Sequence, residues 1–319
     1  MLRFIVKRLA AGVITLFVLS MLIFGATEIL PGDAAQAFLG QYATPESLHT
    51  LRLEFGLDRP LAERYVTWLS GVLTGNLGTS LVTRVPVAQM MGDRLFNTMQ
   101  LAFLAATVAV PIAVALGFVM ALFPYRSFDR MLSGLSVTLA ALPDFLVGTV
   151  LVLVFAVSLK WAPAIANFGA NAGLLTKFHA LALPLTALSA ILVGQLTRMV
   201  RATLLNVLSS PYVEMASLKG ASRFRLVGIH AMVNAIGPIA NLIALNLAYA
   251  VGNLVVIETI FSYPGLSTLM VNAVIARDLT IVQTCALIFS AAYIGLILVA
   301  DILTVVFDPR KTFQIRGGH

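Results

Sequence analysis

Four histidines, two acids inside apolar runs and one charged stretch are the places where this chain could do chemistry. His49, His179, His230 and His319 stand far apart, with no H-E-x-x-H or comparable metal spacing. No G-x-x-x-x-G-K-[ST] loop occurs, so the sequence offers no Walker cradle for ATP, and no Ser/His/Asp grouping is discernible. The expectation is that the chain is no enzyme, and that it holds no metal and no cofactor of its own. A solitary His230 reads as a packing or hydrogen-bonding residue. Asp144, after Pro143, and Asp301 fall within or beside long uncharged runs. Charge facing lipid costs several kcal/mol, so each acid either lines a hydrated path, lies near an interface or pairs with a neighbouring helix.

The charged stretch runs from Tyr212 to Pro238, YVEMASLKGASRFRLVGIHAMVNAIGP. Ser210 is placed to cap a helix with Pro211 in its first turn, and Glu214 lies early enough to favour the positive end of the dipole. Lys219 falls at the far end, before Gly220, which can take the left-handed conformation that stops a helix. Ser222 can cap the next helix, which carries Arg223 and Arg225. The product is an isolated two-turn helix across the membrane surface, too short to be stable alone. It either rests on lipid headgroups or docks on another protein, with Val213, Ala216 and Leu218 in a groove and Glu214 and Lys219 setting the orientation.

Glu214, Ala216 and Gly220 reproduce the E-A-A-x-x-x-G spacing, Met215 replacing the middle alanine, and so resemble the signature loop of binding-protein-dependent ABC importer permeases. Tyr212, Val213, Lys219, His230, Asn234 and Pro238 extend the likeness toward the dipeptide/oligopeptide subfamily. By that resemblance Tyr212, Val213, Glu214, Ala216, Lys219 and Gly220 form the coupling helix that docks into an ATPase subunit.

The elements that must position this loop follow from composition. With 59% hydrophobic residues, 11% charged and a mean hydropathy of +0.95, the chain is no soluble globule, and an all-α polytopic membrane protein is expected. The net charge of +7 does not signal nucleic acid, because the basic residues sit at segment ends rather than among clustered aromatics. The one cysteine, Cys285, lies in an apolar run and reads as a buried inert thiol.

Six spans are expected: Leu9 to Thr27, Leu95 to Tyr125, Met131 to Leu159, Ala180 to Thr197, Val227 to Ile257 and Leu279 to Ala300. The first could also be a signal peptide, but its apolar core is longer than the usual h-region, which favours a retained span. With the N-terminus in the cytoplasm, the inner segments hold thirteen Lys/Arg and the two short outer loops three, Lys160, Lys177 and Arg277. That bias predicts cytoplasmic termini and a cytoplasmic loop at 209–226. The chain divides into a tail and first helix (1–30), an extracytoplasmic segment (31–94) and a five-helix core (95–319). Within 31–94, helices are expected over Pro45 to Phe55, ending at Gly56, and over Leu61 to Leu73, with Trp68.

The same segment resembles the N-terminal extension of the dipeptide/oligopeptide permeases in LPGD (Leu30 to Asp33), FGLDRPL (Phe55 to Leu61), YVTWL (Tyr65 to Leu69) and GNLGTS (Gly75 to Ser80). Arg94, Asn97, Thr98 and Leu101 follow, while Asn76 stands where many members have Asp. Between the last two spans, Glu258, Phe261, Pro264, Gly265, Leu266, Arg277 and Asp278 resemble the family's E-x-x-F-x-x-P-G-L…R-D outer loop, with Ser267 and Thr280 as departures. Asp301, Asp308, Pro309 and Arg310 resemble its C-terminal pattern.

What the resemblance implies is an inner-membrane permease subunit of an ABC importer. Its partners would be a homologous second permease, two cytoplasmic ATPase chains that hold ATP and Mg, and an extracytoplasmic binding protein. The cargo would be di- or oligopeptides, with nickel, glutathione or an oligosaccharide as alternatives; an ATP-independent channel or scaffold is the rival of a different class. Asp144, Glu258, Phe261, Pro264 and Gly265 are the candidates for the translocation path or gate.

Overall fold

An uncharged run in hydrocarbon must satisfy every backbone group within itself, and a helix does this with local bonds alone. The computed structural model describes residues 2–29, 34–40, 43–167 and 173–307; among these every regular element is helical, apart from an isolated bridge between Thr79 and Pro86. LPGD and Asp308 to Arg310 lie outside the described residues. The chain is an all-α polytopic membrane protein. Five helices are long and apolar enough to cross a membrane, or six if a bent pair is counted as one span.

Helix α1 (Leu2–Ile29) leads to the short α2 (Ala34–Leu39), α3 (Pro45–Glu54) and α4 (Leu61–Leu73), the last two within a residue of expectation. Thr44 and Ser47 form a reciprocal capping box on α3. Helix α5 (Val87–Leu122) begins well before the expected Leu95. Its 36 residues reach about 54 Å against ~30 Å of hydrocarbon, so its first turns, with Asp93 and Arg94, stand clear of the apolar layer.

The third expected span is corrected. Met131 to Leu159 is not one rod but α6 (Ser127–Ala141) and α7 (Asp144–Leu151, continuing as a π-helix over Val152–Ser158), bent by 103° at Leu142 and Pro143. Pro143 lacks an N–H and biases Leu142 to extended backbone, so the helix stops and restarts there. Pro111, Pro184 and Pro238 are absorbed inside α5, α8 (Leu174–Leu208) and α11 (Met232–Ile260).

Helix α9 (Pro211–Leu218) follows α8; α10 (Arg223–Arg225) opens into a π-helical turn over Leu226–Ala231 and then α11. The chain closes with α12 (Leu266–Ala276) and α13 (Leu279–Phe307).

The centre is α8, two-thirds buried along its most apolar window, packed on α5, α6 and α11. On α5 the residues facing it recur every fourth place, Leu101, Ala105, Ala109, Ala113, Gly117 and Ala121, all buried. Small residues let the two backbones close up, and a Cβ on Gly117 would sit 2.7 Å from a Val200 methyl. Helix α13 packs on α11, and α1 lies outside both, held mainly by α13.

Side-chain bonds define the two ends of the bundle. At one end Arg201 clasps Asp129 through two bonds of 2.6 and 2.7 Å, and Arg8 pairs with Asp301 at 3.1 Å. At the other, Arg64 clasps Glu28 at 2.6 and 2.8 Å, Gln283 donates to Thr27, and Ser80 bonds Asp278. Of the three alternatives for Asp301, the structure therefore supplies the ion pair between helices.

Candidate functional site

Helix α9 lies at the end marked by Asp129, Arg201 and Arg8. Ser210 has the extended backbone of an N-cap, but its hydroxyl donates back to Val207 O instead of capping α9, which corrects one expectation. Pro211 removes one orphan N–H, and Glu214 stands in the first turn, where the helix dipole favours a carboxylate. Gly220 takes φ +85°, so the left-handed stop is as expected, with Lys219 as the capping residue. Ser222 accepts from Arg225 N and starts α10.

One side of α9 is committed to its own chain. Val213 is 2% exposed and borders a recess lined by Leu208, Ser217, Arg223 and Leu226. It is therefore an anchor, and the expectation that Val213 faces a foreign groove is corrected. Tyr212 Oη donates to His230 O at 3.3 Å, the same carbonyl that accepts from Asn234 Nδ2 at 2.8 Å. That carbonyl belongs to the π-helical turn, where the i to i−4 ladder is interrupted and a carbonyl is open to side-chain donors. Tyr212, His230 and Asn234, distant in sequence, thus form one latch. Arg223 Nη2 donates to Ala121 O at 3.0 Å, and Phe224 stacks edge-on to Phe118, so the loop also grips the end of α5.

The other side is free. Met215 and Leu218 are 55% and 77% exposed, Glu214 and Lys219 are exposed beside them, and Ala216 is half-buried. The exposed face is partly apolar, and the loop that carries it is tied to the start of α11 and the end of α5.

The second candidate set lies at the opposite end. Glu258 ends α11 fully buried, its carboxylate accepting from Thr98 Oγ1 at 2.5 Å, Ser267 N at 2.8 Å and Thr268 N at 3.3 Å. It thereby caps α12, whose first N–H groups have no partner within the helix. Thr98 Oγ1 also accepts from Leu266 N. Gly265 packs against the Glu258 carboxylate so closely that any Cβ would collide with it. Pro264 O accepts from Asn97 Nδ2, Tyr263 Oη donates to Asn97 O, and Phe261 O accepts from Ala166 N. Glu258, Phe261 and Gly265 are buried within this knot and Pro264 is half-buried. Asp144 is elsewhere, half-buried at the start of α7 where the span breaks.

Several residues that hold these sites were not singled out in sequence. Asp129 and Arg201 belong to different spans, and only the fold pairs them; the clue was an acid in the short basic turn 126–130. Asn97, Thr98 and Asp278 stand in motifs legible in the sequence, but nothing there shows that Thr98 reaches Glu258 or that Asp278 receives Ser80 and the Leu81 and Val82 amides.

Residues 113–313 match the model of the binding-protein-dependent transport system inner membrane component family, and residues 1–102 match the N-terminal region of such membrane components. A probable peptide ABC transporter permease protein of Sinorhizobium fredii is 34% identical over 96% of this chain and 98% of its own. A putative peptide transport system permease protein of Brucella abortus is 32% identical over 97% and 99% of the two chains. A glutathione transport system permease protein of Escherichia coli is 33% identical over 98% and 100%.

Proposed function

This chain belongs to the family of binding-protein-dependent transport system inner membrane components, and from that premise we propose how its parts import a cargo. It is a permease subunit of an ABC importer. The cargo we assign is a peptide, on the names of the Sinorhizobium and Brucella relatives; glutathione, itself a small peptide, is the alternative on the name of the Escherichia relative.

The coupling surface is α9 with Gly220. The observation that carries this reading is a two-turn helix with Val213 buried, the Tyr212 hydroxyl bonded back to its own chain, and Met215 and Leu218 turned outward. An isolated helix of this length needs a second surface. Two cytoplasmic ATPase chains, holding ATP and Mg, provide it, with a homologous second permease and an extracytoplasmic binding protein completing the importer. The termini and the 209–226 loop are cytoplasmic, on the thirteen-to-three bias of Lys and Arg.

When ATP draws the ATPase chains together, α9 follows. Its displacement passes through the Tyr212 latch into the π-helical turn and α11, and through Arg223 into α5. The outer knot around Glu258 holds the far ends of α5, α11 and α12 together while the inner ends move. No bond is made or broken in this chain.

The test is a disulfide or short cross-link from Leu218→Cys or Ala216→Cys to the ATPase, in a Cys285→Ser background. A cross-link whose yield changes with nucleotide is expected. With the ATPase present, silence at both positions would defeat the coupling assignment.

A further inference from the structure

The outward faces of most spans are plain. On α1 they are Val13, Ile14, Phe17, Val18 and Leu22; on α5 Phe96, Met99, Phe103, Val108 and Ile112; on α7 Phe145, Leu146 and Val150. Large apolar side chains of this kind suit lipid, and the exposed Thr107 and Thr149 return their hydroxyls to their own helices.

Helix α11 differs. At 100° per residue, Asn241, Leu245, Tyr249, Gly252, Val256 and Thr259 fall within about a quarter of its circumference. None of these six is buried, while Ala244, Asn246, Ala248, Ala250, Leu254 and Ile257 around them are. Tyr249 is 60% exposed near the middle of the span and packs edge-on to Tyr293, at the midpoint of α13, with ring centroids 6.3 Å apart. A Cβ on Gly252 would meet nothing within 4 Å. Asn241 makes no hydrogen bond to any described residue. A carboxamide, a phenol and a bare backbone at mid-membrane are costly against hydrocarbon, so water or another polar surface must cover them.

We propose that this stripe, with Tyr293 beside it, walls the hydrated path, and that its occupant is a peptide gripped by its backbone. The inference rests on the importer reading above and names the cargo-contacting residues that the buried Glu258 knot does not provide. Three features choose the occupant. The stripe carries no charge, so it does not select side chains of either sign. Asn241 and the tyrosine hydroxyls offer both donors and acceptors, matching amide N–H and C=O groups. Gly252, one turn from Tyr249, leaves room for a main chain to lie against the helix.

The test uses the complete importer in liposomes, Cys285→Ser throughout, with Gly252→Cys or Asn241→Cys. Both are treated with a charged, membrane-impermeant methanethiosulfonate. Val13→Cys and Phe103→Cys serve as lipid-face controls. The expected result is labelling of both stripe positions at least tenfold faster than the controls, slowed several-fold when binding protein loaded with trialanine and ATP are supplied. Tyr249→Leu should then lower trialanine uptake at least tenfold while ATP hydrolysis continues. Labelling no faster than the controls in every nucleotide state would overturn the proposal. So would cross-linking of either cysteine to the second permease without labelling, which would make the stripe a packing face. The two readings separate: intact peptide uptake with unlabelled cysteines defeats only the path, whereas rapid labelling with no uptake of any peptide defeats only the peptide cargo.

Discussion

Glu258 shows what one residue does when it is buried and fully bonded. Its carboxylate receives one hydroxyl and two backbone amides, and Thr98 supports it twice over, donating to the carboxylate and accepting from Leu266 N. Thr98→Val keeps the volume and removes both bonds, leaving a buried acid and a buried amide short of partners. At about 1–3 kcal/mol for each group left unsatisfied, the thermal midpoint of the purified protein should fall clearly, and Thr98→Ser should restore most of it. Gly265→Ala should be worse, because the added methyl has no space beside the carboxylate. Folded protein recovered from membranes should drop sharply for it.

At the scale of elements, the loop proposed to couple transport to the ATPase is two short helices, α9 and α10, separated by a left-handed glycine. A β-branched residue there costs about 1–2 kcal/mol in backbone strain and swings α9 out of line with α10. Gly220→Val has open space around its side chain, so insertion and abundance should stay normal. Uptake should fall at least tenfold, measured at matched expression; unchanged uptake would show that the turn does not transmit force. The latch makes a second prediction. Tyr212→Phe and Asn234→Leu each remove a donor to His230 O. Both should lower the ratio of cargo moved to ATP hydrolysed, a quantity that a change in mere stability leaves alone.

For the molecule as a whole, the segment between α1 and α5 is fastened to the bundle by a few well-buried bonds. Arg64 and Glu28 are only 16% and 14% exposed and meet in a two-bonded fork, while Ser20 bonds Tyr65 and Phe24 packs on Tyr65 and Trp68. Arg64→Met strands the acid, at a cost of about 3 kcal/mol. Cleavage of the segment by chymotrypsin should accelerate, and adding Glu28→Gln should recover much of the protection. Failure of the double variant to recover would mean that Arg64 acts through packing rather than charge.

The sequence by itself determined the all-helical, membrane-spanning class, α3 and α4 nearly to the residue, and the glycine stop at 220. These rest on local causes: uncharged length, capping residues and the backbone freedom of glycine. Only the tertiary structure decided where Val213 turns, that the span after Met131 breaks through 103°, and that Asp301 is paired with Arg8. It likewise brought Thr98 to Glu258, 160 residues away, and Tyr212 to His230. In helices as apolar all round as the long spanning ones, periodicity does not say which face meets protein and which meets lipid. That choice is made by packing, through small residues such as Gly117 that let one pair of helices approach and not another.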